Sequence, residues 1–175
     1  MKTILVPKNS RVFPTKKIRH DALIRNEKYT KDLFEKYNDW FYFVHIDPIQ
    51  RFIHAFGMVV GLFFFIMIFL EWSAFSILYY FLGVFFFYVL GIISHKIFDH
   101  GTGESERKYL LHTTYIVISI NLQTLFFQYN KSLKKFVKKY PFVIEAYDLI
   151  EIPSQQLTSY LIGGAKRQKK LRVKE

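Results

Sequence analysis

The chain has 175 residues, with 25 Lys+Arg against 14 Asp+Glu for a formal net charge of +11, and no cysteine. One domain's worth of length is available, and the missing thiols exclude disulfide scaffolds, zinc-thiolate sites, iron–sulfur clusters and cysteine nucleophiles; any metal must be held by His, Asp, Glu or backbone oxygen. Residues 1–51 and 131–175 hold 22 of the 25 basic residues, so the excess charge flanks an almost neutral middle and reads as membrane-surface charge rather than as a specific nucleic-acid surface.

The first 20 residues carry six basic residues and no acid, a composition that superficially suits a mitochondrial presequence, although Pro7 and Pro14 interrupt its helix. From His20 to Phe43 there is no Pro or Gly, and Leu33, Phe34, Tyr37, Trp40 and Phe41 fall at helical spacing, which predicts an amphipathic helix on the membrane interface or on a partner. Asp47-Pro48-Ile49-Gln50 is a helix start, with Asp47 as N-cap, Pro48 in the first turn and Gln50 as the reciprocal capping partner. Phe52–Leu70 and Trp72–His95 follow, 19 and 24 residues without a charge, each near the roughly 20 residues that cross a bilayer. Their short connection, Glu71 to Ala74, predicts an antiparallel transmembrane hairpin.

Tyr109–Asn130 is also uncharged but contains His112, Asn121 and Gln123, so it is expected to dip into the membrane or pack against the hairpin with its polar face covered. In Lys131–Tyr140 the apolar Leu133, Phe136, Val137 and Tyr140 oppose five lysines, the pattern of a basic amphipathic helix lying on anionic headgroups. Phe142–Ile152 is too short and too acidic to be a further span. With 11 Lys/Arg before Phe52, none in the hairpin turn and 11 after Asn130, both tails belong on one side of the membrane. The expected fold class is all-α integral membrane: the hairpin, a third membrane-associated helix, and amphipathic basic helices at both ends. Three regions follow, a basic arm and helix over 1–44, a membrane core over 45–130 and a basic extension over 131–175.

Five of the six histidines lie between His45 and His112. His54 and His95 stand about 18 and 23 residues from the hairpin turn, or roughly 27 and 34 Å along their helices, so they reach similar depths. His45 lies just before the first helix, and Asp99 shares a helical side with His95. Imidazoles with a carboxylate and no sulfur suit Fe(II), Zn or Mn; facing histidines also admit a haem, although nothing else reads as a haem pocket. Interfacial histidines with no metal are the plainer alternative.

The segment from His45 to Gly57 fits the pattern HxxPxxRxxHxxG, and Gly91-Ile92-Ile93-Ser94-His95-Lys96-Ile97-Phe98-Asp99 is similar to a GHxxFE-type motif. In this order around a membrane hairpin they resemble the small membrane family of fungal 2-hydroxy fatty acid dioxygenases and their bacterial relatives, over roughly residues 40–128. The resemblance implies an Fe(II)-dependent, O2-using oxidation that shortens a long-chain 2-hydroxy acid by one carbon. It makes His45, His54 and His95 the iron ligands and gives Asp99 the family's glutamate position as the catalytic carboxylate. Arg51, at the interface beside His54, is positioned to pair with a fatty-acid carboxylate. The family's following run is replaced here by His100-Gly101-Thr102-Gly103-Glu104.

Two functions are therefore expected from different classes. One is the iron dioxygenase, working among membrane lipids. The other is a non-catalytic accessory subunit that binds other subunits of a large membrane complex such as a mitochondrial respiratory-chain complex. The membrane is the mitochondrial inner membrane, one of endoplasmic-reticulum type, or a bacterial inner membrane.

Overall fold

The computed structural model describes residues 2–98 and 110–163. It is mostly helical, and two of its helices are long and apolar enough to cross a membrane. In chain order the elements are β1 (Thr3–Pro7), α1 (Lys16–Lys28), α2 (Tyr37–Val44), α3 (Pro48–Leu70), α4 (Phe75–Phe98), α5 (Leu110–Leu125), α6 (Tyr129–Lys139), α7 (Phe142–Tyr147), β2 (Leu149–Pro153) and α8 (Leu157–Gly163). The basic tail from Lys166 to Arg172 lies outside the described residues.

The two long helices are built as expected at their ends. Asp47 Oδ1 accepts from the amides of Ile49 at 2.8 Å and Gln50 at 3.3 Å, satisfying two of the donors left over at the start of α3. In the turn, Ser76 Oγ donates to the Glu71 carbonyl and the Tyr79 hydroxyl to the Glu71 carboxylate at 2.7 Å.

Between the helices the contacts form a ladder that descends α4 as it climbs α3. Gln50 meets His95, His54 meets Gly91, Gly57 meets Phe86, and Gly61 meets Phe87 and Gly83. A Cβ added at Gly57 would stand 2.4 Å from the Phe86 carbonyl oxygen, and one at Gly61 2.8 Å from Phe87 Cβ. Gly57 and Gly61, four apart, thus let the two backbones approach as small-xxx-small pairs do. Facing them, α4 widens into a π-helical turn over Phe85–Val89, a local irregularity common near functional sites.

The long amphipathic helix expected over His20–Phe43 is broken. α1 ends at Lys28, a 3₁₀ turn occupies Lys31–Leu33, and α2 begins at Tyr37. The break turns Tyr29 and Phe34 into a core that also holds Phe41, Phe43, Leu133 and Val143. The Tyr140 hydroxyl accepts from the Glu35 amide at 3.0 Å and donates to Asp39 at 2.7 Å, supplying partners where helix continuation is lost.

α6 has its lysine face as expected, but its apolar face is buried in this same protein core, with Leu133 only 1% exposed. Tyr29, Phe34 and Phe41 supply the apolar surface that a bilayer was expected to offer. Lys139, bridging Glu35 and Asp39 at 2.8 Å each, ties α6 to the α2 region; these bonds push its ammonium pKa up.

The chain also contains strands that an all-α reading did not include. β1 pairs antiparallel with β2, from Thr3 against Pro153 to Pro7 against Leu149. Asn130 at the start of α6 clasps β1, accepting from Leu5 N at 2.9 Å and donating to Thr3 O at 3.0 Å. The buried Tyr160 donates to the carbonyls of Pro7 and Lys8. The N-terminal arm and the C-terminal extension, expected as separate regions, are therefore one packed unit at the His95 end of α4.

Gly57→Leu forces the α3 and α4 backbones apart. Overpacking of this kind costs about 1–3 kcal/mol or more, so thermal unfolding in detergent is expected well below that of the native chain, whereas Gly91 neighbour Ile92→Leu, on an exposed position, leaves it nearly unchanged.

Candidate metal centre

Three segments supply the centre. The end of α2 carries His45, the second turn of α3 carries His54, and the last turns of α4 carry His95. Each offers a nitrogen, and the three lie within 4.8 Å of one another. The ring centroids form a nearly even triangle, 5.0, 4.8 and 5.2 Å on a side, with ring planes inclined by 69–87°. His45 and His95 are buried and His54 is partly so.

Each imidazole is oriented by a neighbour. His45 Nδ1 lies 2.7 Å from the Phe41 carbonyl and donates to it, leaving Nε2 as the acceptor; the Phe41 ring stacks on it at 4.2 Å. Ser94 donates its hydroxyl hydrogen to the Gly91 carbonyl at 2.7 Å, so its oxygen accepts from His54 Nε2 at 3.2 Å and leaves His54 Nδ1 as the nitrogen with a lone pair. Gln50 touches His95 Nδ1 at 2.7 Å. The Gln50 amide nitrogen donates to His95 Nδ1, so His95 Nε2 carries the proton; with the amide turned so that its oxygen faces His95, Nδ1 would donate instead and Nε2 would carry the lone pair that a metal needs.

His45 Nε2 and His95 Nε2 face each other at 3.1 Å. With the Gln50 amide nitrogen on His95 Nδ1, His95 Nε2 donates to His45 Nε2; in the other His95 tautomer the two nitrogens would turn lone pairs toward a shared metal. Nitrogens bonded to one metal at about 2.1 Å, at angles from square to tetrahedral, stand about 3.0–3.4 Å apart, so the spacing suits a metal. Burial, and then the charges of His95 and His54, hold His45 well below its ordinary value of 6.5, so it is a neutral donor at neutral pH. The ligand set is three nitrogens; the donors alone are compatible with Fe(II), Zn or Mn.

Gly91 completes the packing. A Cβ there would stand 2.7 Å from His54 Cε1 and 2.9 Å from its Nδ1, so only glycine leaves room for the ring against α4. From α5, Asn121 is 1% exposed and donates to the His54 carbonyl at 3.3 Å, while its side-chain oxygen has no hydrogen-bond partner.

Of the residues expected at the site, the three histidines are brought together, Arg51 stands beside them in a different role, and Asp99 lies outside the described residues. Arg51 Nη1 donates to the carbonyls of His45, at 3.3 Å, and Ile46, and its guanidinium lies 3.4 Å over the Tyr129 ring. Tyr129 in turn donates to the His45 carbonyl at 3.1 Å and stacks with Tyr42 at 4.8 Å. Arg51 thus clamps the backbone that carries His45, and a desolvated cation over an aromatic face contributes about 2 kcal/mol. Burial raises the pKa of both tyrosines, so they remain neutral phenols.

Gln50, Ser94 and Asn121 were not expected as site residues. Gln50 precedes His54 by four and therefore lies on the same helical face, a spacing that points to it directly. Its side chain leaves the Asp47 cap, where it was expected, and turns to His95. Asn121 is a lone amide in an apolar segment, and its burial against His54 is how the polar face of α5 is covered.

Replacing Gln50 with Leu removes the group that orients His95, and a lost outer hydrogen bond typically weakens metal binding about 10–100-fold. Metal titration of the purified chain is expected to show that loss, and to show nearly complete loss for Gly91→Val with helical circular dichroism retained. The chain matches no family model, no curated protein and no solved structure.

Proposed function

We infer that the chain is a membrane protein whose α3 and α4 form an antiparallel transmembrane hairpin, and whose three histidines hold Fe(II) for the O2-dependent, one-carbon shortening of long-chain 2-hydroxy fatty acids. The convergence of His45, His54 and His95 from three segments is the observation that carries this reading. The resemblance of the HxxPxxRxxHxxG segment to the 2-hydroxy fatty acid dioxygenase family supplies the reaction and the choice of iron.

The hairpin reading is supported by exposure. Most of both helices is uncovered by protein, including Phe63, Phe69, Ile77 and Phe81, and apolar surface left in water costs about 25 cal/mol per Å². A fatty acyl tail is compatible with the same surroundings. The basic unit built from both chain ends gathers at the histidine end of the hairpin, consistent with both tails on one side; the mitochondrial inner membrane, an endoplasmic-reticulum-type membrane and a bacterial inner membrane all suit it.

Bound iron would supply O2 activation. The protein's own part is to hold three neutral imidazoles in fixed tautomers, through Phe41, Ser94 and Gln50, and to keep bulk water from the buried His45 and His95. Arg51 positions His45 rather than standing ready for a substrate carboxylate. Asp99 is retained in the proposal as the acid at the family's glutamate position.

Protein purified from membranes is expected to contain close to one iron per chain and to consume O2 with 2-hydroxypalmitate, yielding a product one carbon shorter. His45→Ala and His54→Ala are each expected to reduce iron to background and activity by at least 100-fold. Intact protein that binds no iron and turns over no 2-hydroxy acid overturns the reading.

A second reading, an accessory subunit of a large membrane complex, is favoured by bulky apolar side chains exposed outside the two long helices: Phe13 at 87%, Phe127 at 94% and Ile162 at 72%. On this reading the chain migrates in mild-detergent native electrophoresis with a large assembly, and Phe127→Asp releases it; migration only as the 21.0 kDa chain or a small oligomer argues against it.

A further inference from the structure

Between β1, the segment after it, α1 and α7 lies a cavity of about 260 Å³, with Gln50 and Phe98 in its wall. It is distinct from the histidine triangle, from which the Gln50 side chain separates it. Arg11 and Arg25 both line it, and the Nε atom of each is buried without a hydrogen-bond partner among the described residues. Neither guanidinium forms an ion pair among the described residues. Ser10, only 2% exposed, also lines the cavity with its hydroxyl unpartnered.

Four acids share the wall, and none neutralises the arginines. Asp148 reaches Lys8 and Glu145 reaches Lys28, at 3.7 Å each; Asp47 caps α3; Asp21 lines the cavity from an exposed position on α1 and forms no ion pair with either arginine among the described residues. Arg25 is held by stacking 4.0 Å over the Tyr147 ring, which leaves the edge of its planar fork available. A buried guanidinium nitrogen and a buried hydroxyl with no partner are costly unless a ligand completes them.

We propose that this cavity binds a phosphate group, with the forks of Arg11 and Arg25 and the Ser10 hydroxyl as its donors. Two bidentate forks and a hydroxyl supply more donors than one carboxylate accepts, and they match the several oxygens of a phosphate. The volume falls just below that of small-molecule pockets, about 300–1,000 Å³, so it takes the phosphate with a small part of its ester. A lipid headgroup and a soluble phosphate share this chemistry. The proposal stands independently of any metal at the histidines.

The test uses the full chain in maltoside micelles, which contain no phosphate, with thermal unfolding followed by the fluorescence of Trp40 and Trp72. Inorganic phosphate, short-chain phosphatidic acid, phosphate-free short-chain diacylglycerol and sodium chloride at matched ionic strength are each titrated. A saturable rise in melting temperature is expected with inorganic phosphate or phosphatidic acid and not with the two controls. A rise with phosphatidic acid alone assigns the ligand to lipid, and a rise with inorganic phosphate assigns it to the soluble pool.

Arg11→Gln is expected to weaken the half-saturation point at least tenfold while the ligand-free melting temperature is unchanged or higher, because among the described residues Arg11 has no ion pair and its Nε no hydrogen bond to lose. Ser10→Ala, the smallest change, is expected to weaken it several-fold and serves where Arg11→Gln does not fold. No rise with either phosphate compound, or a rise equal in the variants and the native chain, overturns the proposal.

Discussion

The site depends on how closely α3 approaches α4, and that distance is set by side chains that are absent. A Cβ at Gly57, Gly61, Gly83 or Gly91 would meet an atom of the facing helix within 3 Å. Imidazole is short, and rings reaching across a helix pair separated by ordinary side chains would not share a cation. Glycine contact brings His54 against α4 and lets Gln50, one turn earlier, reach His95. The close approach limits water access between the two helices, and it provides a dispersion contact that does not require a hydrophobic driving force.

His45 needs a different support, because it stands outside α3 and α4, at the end of α2, where the last carbonyls of a helix lack partners. Arg51 and Tyr129 donate to those carbonyls, so the same bonds that satisfy the helix end fix the ring's position. The aromatic core beneath α2 then transmits that position to α6 and to the sheet. Tyr147 donates to the Phe43 carbonyl at 2.6 Å, and the Lys139–Asp39 pair holds the outer side. The polar unit at the end of the hairpin is therefore a mount for one of the three nitrogens.

The long apolar runs were legible because a helix apolar on every side leaves little choice; His54 and His95 were legible because similar distances from one turn imply similar depth, and His45 because it stands just before the same helix. The Gly57–Gly61 spacing was equally open to inspection, yet it carries meaning only once it is known that α4 faces it. The break after Lys28 was hidden by continuous helical periodicity: Tyr29 and Phe34 keep that spacing but gain more by inserting into a core assembled from α2 and α6. Strand pairing between Thr3–Pro7 and Leu149–Pro153 joins opposite ends of the chain, a non-local contact with no periodic signature. Arg51 was misjudged for a related reason, since its partners are backbone carbonyls and a tyrosine from α6 rather than anything nearby in sequence.

The three arginines near the site show why formal charge predicts less than environment. Arg51, beside His54 in sequence, donates from Nη1 to carbonyl oxygens and lies over the Tyr129 ring, while its Nε has no partner among the described residues. Arg11 and Arg25, distant in sequence from His45, His54 and His95, likewise have Nε atoms without a partner among the described residues, in a cavity whose wall includes Gln50. Gln50 is therefore shared: its amide meets His95 on one side and borders the cavity on the other. Turning that amide exchanges its nitrogen and oxygen, and the atom that faces His95 decides whether Nδ1 accepts or donates.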